Sequence, residues 1–160
     1  MIKDHHYQVN LRWTGNTGPG TKNYHSYKRD HDISGQGKVS IPCSSDPAFQ
    51  GDITRYNPEE LLVASLSSCH MLWYLHLCAN ANIVVTNYQD HAEGFMKEEN
   101  DGSGYFTEVI LHPKVFIQEP SMIKEAKLLH DKAHELCFIA NSINFRLRHI
   151  PDIQIDKGND

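Results

Sequence analysis

The longest apolar run of the chain, residues 61–79, carries apolar side chains on almost every helical face. Asn57 lies before it as an N-cap, Pro58 suits the first helical position, and Glu60 stands three residues after the cap. The pattern therefore predicts a helix over residues 57–82. A helix that is apolar all round is usually buried on all sides, so we expect it to be the central helix of the protein.

A second segment, residues 121–142, has apolar positions spaced by three and four, which predicts a helix with one apolar stripe. Ser121 is the expected N-cap. The stripe is formed by Ala126, Leu129, Ala133, Leu136 and Cys137.

Segments that alternate or are rich in β-branched and aromatic residues predict strands in the rest of the chain. These segments are residues 5–13, 22–33, 38–43, 83–98, 104–118 and 145–155. An Asp-Gly pair within residues 99–103 predicts a hairpin turn. The order βββ-α-ββ-α-β indicates an α+β protein, an antiparallel sheet with helices packed on it, and we expect residues 1–160 to form a single domain.

Composition narrows the function classes. The formal net charge of −5 argues against a general affinity for nucleic-acid backbones. The polar start, Met1 to Tyr7, does not resemble a signal peptide, and no stretch approaches a membrane span of roughly 18 apolar residues. We therefore expect a cytoplasmic protein with no membrane and no nucleic-acid partner. The 11 histidines would matter to its charge only if the fold clusters them.

The four cysteines are Cys43, Cys69, Cys78 and Cys137, and none belongs to a CxxC pair. In a reducing compartment, cysteine pairs more often indicate redox chemistry or metal binding than structural disulfides. Cys69 and Cys137 fall on the two predicted helices. Helices packed at about 8–10 Å can bring facing cysteines within disulfide range. The alternative is that each is a small buried hydrophobe, which is what we expect of Cys43 and Cys78.

Histidines on the same helices raise the question of a metal site. His70 and His76 are six residues apart and lie on different helical faces, whereas His130 and His134 share a face. The residues between His130 and His134 do not form an HExxH arrangement. We expect neither a metal nor another cofactor.

Two motifs carry a family resemblance. NPEELLVASLSSCHMLWYLHLCA, residues 57–79, resembles the first-cysteine helix of the OsmC/Ohr family, the osmotically inducible and organic hydroperoxide resistance proteins. Glu59 and Cys69 keep the family's ten-residue step. HDKAHELCFIANSINF, residues 130–145, resembles the family's second-cysteine helix, with Phe138 where many members have proline. The resemblance extends over nearly the whole chain, from LRWTGNTGPGT to the last strand.

The resemblance implies an OsmC-like fold with two central helices and an enzyme that reduces organic hydroperoxides. Cys69 would attack the peroxide as a thiolate, and its sulfenic acid would condense with Cys137 to a disulfide. An external dithiol, either a lipoylated protein or a small thiol, would reduce that disulfide. Apolar walls suited to alkyl or fatty-acid hydroperoxides would come from Leu66, Met71, Leu72, Trp73, Phe138 and Ile139.

Family members also place an arginine, held by the Asn-Pro-Glu glutamate, beside the first cysteine. Arg29 is our first candidate and Arg55 the second; Arg29 could instead be a solvated strand charge, and Glu59 a plain first-turn carboxylate. Ten residues of helix span about 15 Å, so Glu59 cannot touch Cys69 of its own chain unless the helix breaks. We therefore expect an intertwined homodimer with each site built across the interface.

Two other classes stay open. A protein of the same fold without catalysis would bind a small lipophilic ligand, and its cysteines would serve packing. The third class is a metal-binding or redox-sensing module. The thiol count before and after one equivalent of an organic hydroperoxide separates the enzyme from the binder, and metal analysis tests the module.

Overall fold

The structure, a computed structural model, describes residues 3–157. The predicted domain of residues 1–160 therefore extends beyond the described residues at both ends. The chain divides into two compact units, Met1–Leu61 and Leu62–Asp160. Each unit is described by itself below.

The first unit is built on an antiparallel sheet of three short strands, β1 (Asn10–Trp13), β2 (His31–Ser34) and β3 (Ile41–Cys43). The predicted strand over residues 22–33 is wrong for most of its length, since residues 21–27 form turns and bends. Asn23 and Ser26 explain the difference. The Asn23 side chain accepts from His25 N, and the Ser26 hydroxyl donates to Gly20 O, bonds that compete with a strand ladder.

Helix α1 runs without a break from Pro58 to Asn80, as predicted. Its N-terminus is held by a capping box. Glu60 N donates to Asn57 Oδ1 at 2.7 Å, and Asn57 N donates to Glu60 Oε2 at 3.0 Å. The helix ends where Asn82 takes a left-handed conformation, with φ 57, and Ile83 N donates to Cys78 O.

The burial of α1 differs from the prediction of a helix covered on every face. The buried positions are spaced by four and form one stripe: Leu66, His70, Tyr74 and Cys78. Leu72, between two of them, is 60% exposed. One chain therefore buries one face of α1 fully, covers most of its other large apolar side chains in part, and leaves Leu72 exposed.

By length and composition alone, α1 could cross a membrane, which corrects the expectation that no stretch approaches a span. The serines and histidines interrupt its apolar run but leave its average hydropathy within the range of membrane spans. Core helices of soluble proteins share this length and composition.

Three long strands predicted in the second unit each divide into two consecutive strands. The strands are β4 (Val85–Asp90), β5 (Glu93–Glu98), β6 (Gly104–Leu111), β7 (Pro113–Ile117), β8 (Arg146–His149) and β9 (Asp152–Ile155). One member of each pair joins a sheet of order β4-β7-β9, and the other joins a sheet of order β5-β6-β8. At one division, Asp90 Oδ1 accepts from His112 N at 2.7 Å and replaces a ladder bond. At the division between β8 and β9 stands Pro151, which has no N–H to donate to a neighbouring strand.

Both sheets of this unit are mixed rather than purely antiparallel. The predicted hairpin is confirmed: β5 pairs antiparallel with β6 across a turn in which Gly102 has φ 84. β8 then pairs parallel with β6, and β9 pairs parallel with β7. Parallel pairing follows because the second helix lies between these strands in the chain and supplies the crossover.

The second helix, α2, is shorter than predicted and runs from Ile123 to Leu136. The prediction of Ser121 as N-cap is wrong, because this residue lies in a preceding 3-10 turn and its hydroxyl donates to Glu119 Oε1. Cys137 is the C-cap, with extended backbone, and a 3-10 turn over residues 140–142 follows. Cys137 thus lies at the end of α2 and not within it.

Two apolar clusters form the core of the second unit, and α1 contributes to both. The larger consists of Tyr74, Cys78, Ile83, Val115, Ile117, Ala126 and Ala133. The smaller consists of Leu66, Val109 and Leu111. Because both helices contribute to the larger cluster, packing fixes α2 against α1.

Candidate active site

The two cysteines singled out by the sequence meet in the second unit. Cys69 lies on α1 and is partly exposed, whereas Cys137 at the end of α2 is fully buried. Both are free thiols, and the Cys69 side chain lies near enough to Cys137 to affect its pKa. The arrangement therefore places a reachable sulfur directly beside a sheltered one.

The surroundings of Cys137 keep it protonated at neutral pH. Burial raises the pKa of Cys137 to about 11, and the neighbouring Cys69 side chain acts in the same direction. The Ala140 amide opposes this effect by donating to Cys137 Sγ at 3.4 Å. If one member of the pair reacts as a thiolate at neutral pH, it is Cys69 and not Cys137.

Aromatic side chains lie close to both cysteines. Trp73 is one helical turn beyond Cys69, and Phe138 directly follows Cys137. Their rings meet edge to face with centroids 5.8 Å apart. A shallow cavity of about 260 Å³ is lined by Leu72, Trp73 and His76. The surface next to the cysteines is therefore largely apolar.

Not every residue predicted to form the apolar walls of the site lies on this surface. Leu66 is fully buried in the smaller core cluster, and Ile139 packs against that cluster. Leu72 and Phe138 are 60% and 64% exposed. Met71 is partly buried.

Arg29 lies in the first unit and is held firmly by its own loop. Its Nη1 donates to Tyr27 O at 2.6 Å, and its Nη2 donates to Tyr24 O at 2.7 Å. The guanidinium carbon lies 4.2 Å and 4.3 Å from the centres of the Tyr24 and Tyr27 rings. Across residues 3–157, no carboxylate lies within ion-pair distance of Arg29.

Arg55, the second candidate, lies between two carboxylates of the first unit. Its Nη1 is 3.7 Å from Asp32 Oδ1, and its Nε is 4.0 Å from Asp52 Oδ2. Cys43 is buried nearby, and burial followed by the charge of Asp32 raises its thiol pKa. These contacts give Arg55 a structural role in the first unit.

Glu59 occupies the first turn of α1, while the capping contacts belong to its neighbour Glu60. Because α1 is unbroken, the ten residues from Glu59 to Cys69 span about 15 Å. A broken helix is therefore excluded as the means of joining these two residues.

A cluster of four histidines, two buried and two partly buried, is the main feature that sequence reasoning missed. It consists of His70, His130, His134 and His149, whose rings lie near one another. His70 Nε2 and His130 Nδ1 share a hydrogen bond of 2.9 Å, and Tyr74 stacks on His130 at 3.8 Å. The available signals were the four-residue spacings, His70 to Tyr74 on one helix and His130 to His134 on the other.

Burial governs the ionisation of this cluster. It lowers the pKa of His70 to about 4 and of His130 to about 3, and neighbouring imidazoles add to the effect. At the edge of the cluster, His149 Nε2 donates to Asp131 Oδ1 at 2.9 Å. Among residues 3–157, no group of three or more His, Cys, Asp or Glu side chains is arranged to hold a metal ion.

Cys78 is buried beside Tyr74, and burial raises its thiol pKa. In both Cys78 and the buried Cys43, burial is the largest influence on the thiol pKa and raises it, which disfavours a thiolate.

The fold is of the α+β class. Cys69 of α1 lies beside Cys137 at the end of α2. Residues 50–149 match the family model described as OsmC-like protein. The match covers more than half of the chain, so the protein belongs to the OsmC-like family. The resemblance drawn from the two cysteine motifs is thereby confirmed.

Solved structures agree with this assignment. An OsmC-like protein of unknown function from Vibrio cholerae is 29% identical, with a TM-score of 0.83 over 93% of this chain and 100% of its own. Organic hydroperoxide resistance proteins from Elizabethkingia anophelis and Legionella pneumophila are 20% and 16% identical, with TM-scores of 0.66 and 0.62. They cover 96% and 94% of this chain, and 100% and 99% of their own chains. No curated protein matches.

Proposed function

We propose that this protein reduces organic hydroperoxides to alcohols through a Cys69 thiolate and a Cys69–Cys137 disulfide. The observation that supports this most strongly is the proximity of a partly exposed thiol, Cys69, to a buried one, Cys137. Family membership and two structural neighbours described as organic hydroperoxide resistance proteins support the same reaction.

Cys69, Cys137 and an external dithiol together supply the electrons and protons needed to reduce one hydroperoxide. The Cys69 thiolate attacks one peroxide oxygen, the O–O bond breaks, and the other oxygen leaves as the alcohol after taking a proton. The resulting sulfenic acid condenses with the Cys137 thiol, forming the S–S bond and releasing water. A dithiol, either a lipoylated protein or a small thiol, then reduces the disulfide and becomes a disulfide itself.

The substrate proposed is an alkyl or fatty-acid hydroperoxide rather than hydrogen peroxide. Trp73 and Phe138 present apolar rings beside the cysteines. Contact between these rings and an alkyl chain removes apolar area from water, at about 25 cal/mol per Å². Hydrogen peroxide has no such area and gains nothing from them.

We further propose an intertwined homodimer in which Arg29 and Glu59 of one subunit serve Cys69 of the other. The continuous helix separates Glu59 from Cys69 of its own chain. A partner subunit would cover the exposed Leu72 and the partly buried apolar side chains of α1. The side chains of β1 are likewise exposed, Leu11 among them, and a small sheet without a buried face is marginally stable alone.

In this proposal the whole chain acts as one domain, in the cytoplasm, without a metal or another cofactor. Sedimentation at micromolar concentration tests the dimer. A monomer with intact peroxidase activity would refute the shared site and leave the cysteine chemistry standing.

A thiol titration tests the reaction. The reduced protein should lose two thiols per chain with one equivalent of cumene hydroperoxide and regain them with dithiothreitol. Cys78→Ser serves as the matched control, because Cys78 is buried away from solvent and should not change the count of two. Retention of all thiols would favour the ligand-binding alternative.

A further inference from the structure

The face of α1 that carries Cys69 becomes apolar and then polar along the helix. Four side chains share this face, because their positions are three, one and three residues apart on a continuous helix: Cys69, Leu72, Trp73 and His76. The last three line one cavity of about 260 Å³. Two of these side chains are apolar and the third is an imidazole. The cavity therefore offers contact to an alkyl chain and a hydrogen bond to a polar group at the end of that chain.

A contact with Asn80 determines which nitrogen of His76 carries the ring proton. Asn80 Nδ2, an amide nitrogen that only donates, lies 3.2 Å from His76 Nε2. His76 Nε2 is therefore the acceptor, and in the neutral ring the proton lies on Nδ1. The imidazole also packs edge to face on Trp73, with ring centroids 5.7 Å apart. Since His76 is exposed, its Nδ1–H is a donor for a ligand that occupies the cavity.

We propose that His76 is a specificity residue: its Nδ1–H donates to the carboxylate of a hydroperoxide whose O–O bond lies at Cys69. The alkyl segment between these two groups lies on Leu72 and Trp73. This inference rests on the proposed peroxidase function and adds to it an acid group at a set distance from the peroxide. Asn80 is a positioning residue here, because its amide holds the His76 ring with the proton on Nδ1.

The helix sets the length of the preferred substrate. The seven residues from Cys69 to His76 correspond to about 10.5 Å along the axis of α1. An extended carbon chain advances about 1.2 Å per bond, so roughly eight or nine bonds cover this distance. A fatty acid with its peroxide near the middle of the chain has this separation between peroxide and carboxylate. A hydroperoxide on a short chain cannot contact both residues at once.

The physical chemistry of the cavity favours an acid over its ester. Hydrogen bonds to a carboxylate are stronger than those to a neutral carbonyl. Leu72 and Trp73 contact the alkyl segment equally in both compounds, so only His76 distinguishes them. In the proposed dimer, the partner subunit that covers Leu72 would also exclude water from the cavity and strengthen this hydrogen bond.

Three substrates separate recognition of the acid from contact with the alkyl chain: linoleic acid hydroperoxide, its methyl ester and cumene hydroperoxide. Stopped-flow oxidation of the reduced protein gives a second-order rate constant for each. His76→Phe keeps a ring against Trp73 and removes the donor. It should slow oxidation by the acid roughly tenfold and leave the rates with the ester and with cumene hydroperoxide near the wild-type values. His76→Gln keeps a donor and should recover part of the rate with the acid.

Isomers of the acid test the distance. The wild-type protein should prefer the isomer with its peroxide on the ninth carbon to the isomer with its peroxide on the thirteenth, and His76→Phe should lose this preference. His91→Phe replaces an exposed histidine between β4 and β5 and is the matched control, with wild-type rates expected throughout.

Two results would overturn the inference and leave the peroxidase function standing. One is an equal rate with acid and ester in the wild-type protein. The other is an equal slowing with all three peroxides in His76→Phe, which would assign His76 to packing. A protein that none of the three peroxides oxidises would refute the proposed function, and the inference with it.

Discussion

His70 Nε2 lies 2.9 Å from His130 Nδ1, with the two rings almost coplanar and fully buried between α1 and α2. One nitrogen must donate to the other, so both rings fit this contact in the neutral state. The pair joins the helix that carries Cys69 to the helix that ends at Cys137. Its protonation would therefore strain the packing that brings the two cysteines together.

Acid should destabilise the protein through this histidine pair. Burial lowers the pKa of His70 to about 4 and of His130 to about 3, below the ordinary value of 6.5. As pH falls below 6.5, the unfolded chain binds protons before the folded one, so stability is lost from about pH 6.5 down to about pH 4 for His70 and about pH 3 for His130. Each histidine should cost on the order of 2 kcal/mol between pH 6.5 and 5.

Urea unfolding at pH 7.5 and 5 measures this effect. His130→Phe keeps an aromatic ring against Tyr74 and removes one titrating group, so its loss of unfolding free energy should be smaller than that of the wild-type protein. His76→Phe is the matched control on the exposed side of α1 and should keep the wild-type loss. An identical loss in all three proteins would remove the pair as the cause.

The two cysteines should respond differently to substitution. Cys69→Ser should abolish turnover, because no other thiolate lies at the site. Cys137→Ser should undergo one fast oxidation and then stall or over-oxidise, because the sulfenic acid has no partner. Mass spectrometry after a single addition of hydroperoxide identifies these products. If Cys137→Ser fails in the first oxidation and Cys69→Ser does not, the roles are reversed.

Arg29→Ala should slow the first oxidation of Cys69 by roughly tenfold to a hundredfold, because a preorganised donor to developing charge is lost. Arg29→Lys should recover only part of the rate, since an ammonium lacks the planar fork. Stopped-flow oxidation of reduced protein measures both.

Arg55→Ala is the matched control for Arg29. Its ion pairs with Asp32 and Asp52 are structural, so its first oxidation should stay near the wild-type rate. Slow oxidation in Arg55→Ala together with a normal rate in Arg29→Ala would transfer the activating role to Arg55.

Trp73→Ala should reduce the preference for organic peroxides. The ring next to Cys69 favours an alkyl chain, and its removal should slow oxidation by cumene hydroperoxide several-fold while leaving hydrogen peroxide unchanged. The comparison is made by stopped flow, with Phe95→Ala, a partly exposed strand residue, as control. Equal slowing with both peroxides would assign Trp73 a packing role instead.

Local patterns predicted the helices well because their signals lie close together in the chain. Asn57 and Glu60 form the expected capping box, and α1 follows it almost to the predicted end. The strand divisions were not predictable in this way. The residues on both sides of His112 are apolar and do not indicate a break. The hydrogen bond that His112 N donates at this break is accepted by Asp90, 22 residues earlier.

Sequence motifs predicted the two cysteines of the candidate site. They did not predict the histidine cluster, which only tertiary packing brings together. The cysteine motifs identified Cys69 and Cys137, which the structure brings into contact. The histidine cluster needs His149, whose strand is placed against the helices only by the fold. The roles of Arg29 and Glu59 stay predictions, because they call for a second subunit.

The most direct test of the account is peptide mapping of the protein after one equivalent of cumene hydroperoxide, without reduction. We predict a single disulfide that joins the peptides of Cys69 and Cys137, with Cys43 and Cys78 still reduced. A fully reduced protein, or a disulfide between any other pair, would contradict the claim that these two sulfurs carry the reaction.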